Sequence, residues 1–259
     1  MTRLESRHAL GMRIDKTSYG DAASLVAGWA RHSEARYVCV ANVHMAMEAH
    51  DSEDFRRVVN AADLVTPDGV PLVWCLRLMG VRDASRVYGP DLTLAVLAEA
   101  EREHLPVGFY GGSEAVLQML RKSLGERFPG LQVGYCWAPP FRPLDAEEDR
   151  RITEEIRASG VRILFVGIGC PKQERWMAEH RGRFAAVMLG VGAAFDFLAG
   201  VKPQARPWMQ ALGLEWLFRL ITEPRRLWRR YLKQNPRFVA YLTMQLLGIR
   251  QFPREVSGG

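Results

Sequence analysis

Short apolar runs alternate along the chain with longer stretches in which apolar residues recur every three or four positions. The short runs predict six strands, at residues 36–41, 62–66, 107–110, 131–136, 162–167 and 186–191. The longer stretches predict seven helices, at residues 19–32, 52–61, 70–79, 92–103, 113–128, 146–158 and 173–181. Strands that alternate with helices of this length favour an α/β fold, in which helices cover both faces of a mostly parallel sheet.

The pattern changes after Gly200. Large apolar and aromatic residues mix with arginines in a helical pattern that we expect to break near Pro224 and Pro236. We predict a Rossmann-like α/β catalytic domain at residues 1–199 and a basic, amphipathic helical appendage at residues 200–259. Two interpretations of the appendage remain open: its helices complete the core with solvated arginines, or they meet an anionic surface.

The charge is concentrated in this appendage. The whole chain carries a formal charge of +6. From residue 200 onward there are eleven Lys and Arg residues against three acids, which leaves the first 199 residues at −2. This asymmetry predicts an anionic partner for the appendage, such as nucleic acid, lipid head groups or a phosphorylated substrate.

Several classes of protein are disfavoured by what the sequence lacks. The four cysteines are scattered without a Cys-x-x-Cys pair, so neither a zinc site nor a disulfide framework is indicated. No Asp-x-Asp occurs, and we expect no metal and no cofactor. No run of about 18 uncharged apolar residues predicts a membrane-spanning helix. The charged amino terminus lacks the apolar core of a signal peptide, so we expect a cytoplasmic location.

The stretch GIGCPKQE, residues 167–174, follows a predicted strand and opens a predicted helix. In parallel sheets such positions bind ligands, because the helix amino terminus favours an anion by about 0.3–1 kcal/mol. Gly167 and Gly169 would allow close backbone approach, and Pro171 suits a first helical turn. Lys172 adds a cation, and Gln173 could contact a base or sugar. The alternative is a tight turn with a solvated polar face.

Two aspartates are further candidates. Asp68 lies between Pro67 and Gly69 at the predicted end of a strand, where partial burial could make it a general base. Pro-Asp-Gly is equally ordinary turn chemistry. Asp196 stands among apolar residues in AFDF, so it is expected to contact either a ligand or a buried hydrogen-bond partner.

Together these stretches resemble one family, the bacterial WecG/TagA/CpsF glycosyltransferases, also called glycosyltransferase family 26. The resemblance runs in order from Asn42 to the appendage and covers most of the chain. The matching motifs are TPDG (66–69), RVYGPDL (86–92), GIGCPKQERW (167–176), GVGAAFDFLAG (190–200) and GLEWLFRL followed by EPRR (213–226).

The resemblance implies an inverting, metal-independent transfer of a sugar from a UDP-sugar to a polyprenyl-diphosphate-linked sugar, in cell-envelope or exopolysaccharide biosynthesis. It implies that Asp68 is the general base, and that Gln173 and Asp196 belong to the UDP pocket. Arg86 falls within a matched motif. Arginines of the appendage would close over the site and hold diphosphate charge; by spacing they are Arg219, Arg226 and Arg229.

This chain departs from the family at one position of the expected site. Members often carry Thr-x-Asn where this sequence reads Val40, Ala41 and Asn42. The threonine hydroxyl is therefore missing, although Asn42 is retained. Thr66, close to Asp68, could partly substitute for it.

The donor sugar is not fixed by the sequence. We favour a glucosyl-type donor, because the basic appendage resembles that of exopolysaccharide-type members; UDP-N-acetylmannosamine or its uronate is the alternative. More remote alternatives are an NAD-dependent oxidoreductase, suggested by Gly167-x-Gly169, and a nucleic-acid-binding protein. Because large apolar residues accompany the arginines, we expect the appendage to bind the inner leaflet of the plasma membrane peripherally rather than nucleic acid.

Overall fold

The structure, a computed structural model, describes residues 4–253 except the side chains of Pro207, Ala211 and Arg226. The strands within these residues are β1 (Ser6–Ala9), β2 (Met12–Asp15), β3 (Arg36–Ala41), β4 (Leu64–Pro67), β5 (Val107–Gly111), β6 (Val133–Trp137), β7 (Ile163–Gly167) and β8 (Val187–Gly190). The helices are α1 (Tyr19–Arg31), α2 (Val43–Asp51), α3 (Glu53–Asn60), α4 (Val70–Leu78), α5 (Gly89–Arg102), α6 (Glu114–Arg127), α7 (Ala146–Ala158), α8 (Lys172–His180), α9 (Ala194–Leu198), α10 (Pro207–Ala211), α11 (Glu215–Thr222) and α12 (Pro224–Leu246).

Six strands form one parallel sheet in the order β4-β3-β8-β7-β5-β6. Side chains alternate between its two faces, as in β3, where Val38 and Val40 join one buried cluster and Tyr37 and Cys39 join the other. Helices α1, α5 and α6 cover the first face, and α2, α3, α4, α7 and α8 cover the second. The predicted Rossmann-like α/β class is therefore confirmed, including all six strands.

A short antiparallel hairpin, β1–β2, was not predicted. Its strands have four residues each, and the first reads Ser-Arg-His-Ala, which lacks an apolar pattern. The hairpin protects the edge of the large sheet, because the Asp15 carboxylate accepts a hydrogen bond of 2.8 Å from the amide of Val65 in β4.

Within residues 200–253, the appendage forms three helices, α10 to α12. The expected break near Pro224 is present, but the expected break at Pro236 is wrong: α12 continues through it. Proline there removes one helical hydrogen bond, and contacts with α2 on either side hold the helix. Gln234 donates to Glu48 at 3.2 Å, and Arg237 pairs with Asp51 at 2.6 Å.

The appendage packs partly onto the α/β unit, as the first interpretation expected, and its contact with an anionic surface stays a prediction. Phe238 is buried in the core of the α/β unit, and Gln245 bonds the β1–β2 turn through the Leu10 amide at 2.8 Å. Other apolar side chains of α12 are exposed, including Leu232 at 69% and Val239 at 61%. Among residues 4–253, no helix is long and apolar enough to span a membrane. The division at residue 200 stays a prediction.

Candidate active site

The carboxyl ends of four adjacent strands carry most of the predicted site residues. Along the sheet edge, Asp68 follows β4, Asn42 follows β3, the loop to α9 follows β8, and the Gly167–Gln173 segment follows β7. Three strand spacings of about 4.8 Å place the outer strands of this group roughly 14 Å apart. The topology thus brings residues from distant parts of the sequence to a common edge.

Asp68 lies between this edge and the start of α5. Its amide donates to the carbonyl of Ala41 at 2.8 Å, and its Oδ1 accepts from the amide of Gly89 at 3.0 Å. Gly89 is the first residue of α5, a fourteen-residue helix, so the carboxylate lies at a helix amino terminus. The side chain retains 18% exposure, which leaves it accessible to a ligand.

Arg86, in the loop before α5, contacts Asp68 at two points. Its Nε donates to the Asp68 carbonyl oxygen, and its Nη2 lies 4.0 Å from Asp68 Oδ1. The same Nη2 donates at 2.6 Å to Glu215, a buried residue at the start of α11. The appendage therefore contributes directly to the surroundings of Asp68.

The electrostatic balance at Asp68 favours proton acceptance near neutral pH. Burial raises the pKa of the Asp68 carboxyl to about 6, and the Glu215 carboxylate acts in the same direction. The Arg86 guanidinium and the hydrogen bond from Gly89 oppose this rise in pKa. A carboxyl with such a pKa is mostly ionised at pH 7 and is a stronger base than an ordinary aspartate.

Asn42 and Thr66 flank Asp68. The side chain of Asn42 already makes a hydrogen bond, and the side chain of Thr66 is buried. Asn42 is the N-cap of α2, and its Oδ1 accepts from the amide of Met45 at 3.2 Å. Thr66 pairs with Val40 across β3 and β4 and is fully buried. Its hydroxyl has no hydrogen-bond partner within the described part of the chain. Catalytic roles for both residues stay predictions.

The glycines after β7 serve two different purposes. A Cβ on Gly167 would lie 2.8 Å from the ring of Phe195, so this glycine is required for packing against α9. Gly169 has φ +85°, and nothing lies within 4 Å of the position its Cβ would take. Of the two glycines, Gly169 thus provides the open backbone surface that the sequence predicted for a ligand.

Pro171 and Lys172 begin α8. Pro171 is the N-cap rather than the first helical residue, and the Cys170–Pro171 bond is cis. Lys172 is the first residue of the helix and is exposed, so its ammonium is available at the sheet edge beside Gly169. The helix amino terminus and this cation together favour an anion.

Gln173 is directed inward. Its Oε1 accepts hydrogen bonds from Gly169 at 3.1 Å and Gly192 at 3.2 Å, which join the loops after β7 and β8. Its Nε2 donates to Glu174 at 2.7 Å. With 3% exposure, Gln173 shapes the loops of the site, and the predicted contact with a base or sugar stays untested.

Asp196 lies on α9, which follows β8, and the three arginines predicted for the site lie on α11 and α12 of the appendage. Asp196 Oδ2 pairs with Lys202 Nζ at 2.8 Å. The guanidinium of Arg219 lies 5.8 Å from the centre of the Phe197 ring, and its Nε is buried without a partner among the described residues. Arg229 is exposed beside Trp228 instead. Arg226 lies on α12, and its side chain is outside the described part of the structure.

Comparison with known proteins identifies the family. The model of the glycosyl transferase WecG/TagA/CpsF family matches residues 7–251. The chain belongs to this family. It is thus a glycosyltransferase. The resemblance that the motifs indicated is confirmed. The family does not support the oxidoreductase and nucleic-acid-binding alternatives. A Bacillus spizizenii member is 31% identical over 209 residues, covering 80% of this chain and 78% of its own. That protein is named N-acetylglucosaminyldiphosphoundecaprenol N-acetyl-beta-D-mannosaminyltransferase.

This glycosyltransferase contains site features that the sequence reasoning missed. Glu215 stood within the matched GLEWLFRL motif, but nothing in the sequence paired it with Arg86, 129 positions away. The sequence assigns no role to Glu174, although this residue is fully buried beside Gln173. Within residues 4–253, no group of three or more His, Cys, Asp or Glu side chains is arranged to hold a metal ion.

Proposed function

We propose that this glycosyltransferase moves a hexose or N-acetylhexosamine-type sugar from a UDP-sugar to a polyprenyl-diphosphate-linked sugar, with inversion and without a metal ion. The observation that carries the proposal is the partly exposed Asp68 carboxylate, with its pKa raised to about 6, at the edge where the β3, β4, β7 and β8 loops meet. A glycosyl acceptor needs a base that is ionised near neutral pH, and Asp68 meets this need.

In the proposed reaction, the acceptor hydroxyl oxygen attacks the anomeric carbon of the donor as Asp68 takes its proton. The bond from that carbon to the diphosphate oxygen breaks on the opposite face, and UDP leaves with the electron pair. One displacement inverts the anomeric configuration. General-base assistance of this kind contributes about 10²–10⁴-fold to the rate.

The leaving diphosphate gains negative charge during this step. Lys172 is exposed at the amino terminus of α8, and the Arg219 guanidinium lies near the Phe197 ring. Fixed cations and backbone amides of this kind stabilise charge that develops in a transition state. They support the proposed reaction without a metal.

The lipid-linked acceptor accounts for the outer surface of the appendage. Its exposed side chains include Trp208, Trp216, Ile221, Trp228, Leu232 and Leu247. Arg225 and Arg229 are exposed on the same appendage. Aromatic residues suit the membrane interface, and each basic residue near an anionic leaflet contributes about 1 kcal/mol. We therefore propose peripheral binding to the cytoplasmic leaflet.

A donor panel tests the proposal. UDP-N-acetylmannosamine, its uronate and UDP-glucose are offered with a polyprenyl-diphosphate-linked N-acetylglucosamine acceptor, with and without EDTA. The relative's name makes N-acetylmannosamine the first sugar to test, ahead of the glucosyl donor that the appendage suggested. Transfer that survives EDTA supports the proposal; absence of transfer from every UDP-sugar would contradict it.

Vesicle flotation tests the membrane part separately. The wild-type protein should float with vesicles of phosphatidylglycerol and phosphatidylethanolamine, and less so at high salt. Replacing the exposed Trp228 and Leu232 by serine should reduce flotation without changing Asp68. A wild-type protein that remains wholly unbound would exclude this surface as a membrane contact.

A further inference from the structure

The Arg86 guanidinium lies between two carboxylates. Its Nη2 is 2.6 Å from Glu215 Oε2 but 4.0 Å from Asp68 Oδ1. Its Nε bonds the backbone carbonyl of Asp68, and its Cζ lies 4.4 Å from the centre of the Tyr88 ring. The cation is therefore held beside Asp68 while its short ionic contact is with Glu215.

Glu215 reaches this position because the segment before α11 packs onto the amino terminus of α4. A Cβ on Gly213 would lie 3.1 Å from Val70 Cγ1, which shows how closely the two segments approach. Glu215 is the first residue of α11 and is 9% exposed. Docking of the appendage thus determines whether Arg86 has this partner.

Without Glu215, Asp68 would be the carboxylate left within 4.0 Å of the Arg86 guanidinium among the described residues, while Asp91 on α5 interacts with Arg86 over a longer distance. An arginine beside a single carboxylate tends to form a bidentate ion pair with it. This pair stabilises the ionised form of the acid, and its hydrogen bonds occupy the lone pairs of the carboxylate oxygens. A general base held in this way would accept a proton poorly. The 1.4 Å difference between the two contacts is what the Glu215 carboxylate maintains.

We propose that Glu215 is a positioning residue: by holding Arg86, it keeps this cation from pairing with the Asp68 carboxylate and leaves that carboxylate able to accept the proton of the acceptor hydroxyl. The inference rests on the proposed function of Asp68. It extends that function by making the base competent only when α11 is docked.

Other groups near Asp68 do not replace Glu215. Arg219 on the same helix lowers the pKa of Asp68, as Arg86 does, and the Gly89 amide acts in the same direction. Tyr19 on α1 and Tyr88 before α5 both have pKa values raised by burial, that of Tyr19 to about 12. Both tyrosines are therefore neutral in the range where Asp68 titrates, and Glu215 is the acid that opposes the two arginines.

The test is the titration of Asp68 in full-length Glu215→Gln. The carboxyl carbon of Asp68, assigned by comparison with Asp68→Asn, is followed by NMR, and kcat/KM is measured across pH 4.5–9. In E215Q the Asp68 titration and the acidic limb of kcat/KM should both move down by about one pH unit. In Arg86→Gln both should move up, because the opposing cation is gone.

One further variant and the possible outcomes make the test decisive. Glu215→Asp keeps the charge and should retain the wild-type Asp68 titration; a downward shift equal to that of E215Q would overturn the proposal. An unshifted Asp68 titration in a folded E215Q protein, judged by its thermal unfolding, would also overturn it. If Asp68 titrates as expected but the wild type transfers no sugar, the positioning role holds and the proposed function fails.

Discussion

Glu174 allows the electrostatics of the site to be tested through stability alone. The residue is fully buried on α8; its Oε1 accepts a hydrogen bond of 2.7 Å from Gln173, and its Oε2 has no partner within the described residues. Burial raises the pKa of its carboxyl from 4.5 to about 7, against the opposing effect of the Gln173 hydrogen bond. The perturbation is Glu174→Gln, which keeps the shape and removes the charge.

The direction in which stability changes with pH follows from the raised pKa of Glu174. Stability that Glu174 contributes in its neutral form is present below about pH 4.5 and is lost as the pH rises through about 7. A tenfold change in proton affinity corresponds to about 1.4 kcal/mol, so a pKa that moves from 4.5 to about 7 corresponds to roughly 3 kcal/mol. The glutamine has no such pH dependence, although its buried amide costs about 1–3 kcal/mol at every pH.

The assay is urea unfolding of both proteins at pH 5, 6, 7 and 8. The free energy of unfolding of E174Q minus that of the wild type should rise by about 2.5 kcal/mol across this range, because part of the full effect is already present at pH 5. Glu148→Gln is the matched control, because the pKa of Glu148 is lowered to about 2 by Arg142 and its titration lies below this range. A difference for E174Q that stays constant from pH 5 to pH 8 would refute the reasoning.

Two further predictions concern packing and charge. Gly167→Ala places a Cβ 2.8 Å from an aromatic ring and should destabilise the protein by about 1–3 kcal/mol, whereas Gly125→Ala meets no atom within 4 Å and should be neutral or stabilising; equal melting temperatures would contradict the packing argument. Arg219→Gln should lower kcat by roughly 10²-fold if its guanidinium meets the leaving diphosphate, while Arg225→Gln on the exposed side should not; similar kcat values for both variants would exclude that role.

Much of the fold could be predicted because the sheet is parallel and buried. Its strands read as short apolar runs, and the helices between them have clear three-to-four spacing. The β1–β2 hairpin lacks this signal, since its first strand is polar. Helix α2 begins immediately after β3 at the Asn42 cap, so the apolar pattern of the strand runs into it and hides its start.

The site was less predictable, because its side chains act over long sequence distances. The sequence predicts a ligand contact for Gln173, which stays a prediction, and it does not indicate that the Oε1 of Gln173 accepts hydrogen bonds from the amides of Gly169 and Gly192. Likewise, nothing local distinguishes Glu215 from any other helix-starting acid. Its pairing with Arg86 depends on how the appendage docks, which the local pattern does not encode.

The central claim is that Asp68 accepts the proton of the acceptor hydroxyl. The most direct measurement compares Asp68→Asn with the wild type in sugar transfer and in UDP binding by calorimetry. The account predicts a loss of about 10²–10⁴-fold in kcat with the dissociation constant for UDP nearly unchanged. Near-normal turnover of the D68N protein would contradict the account.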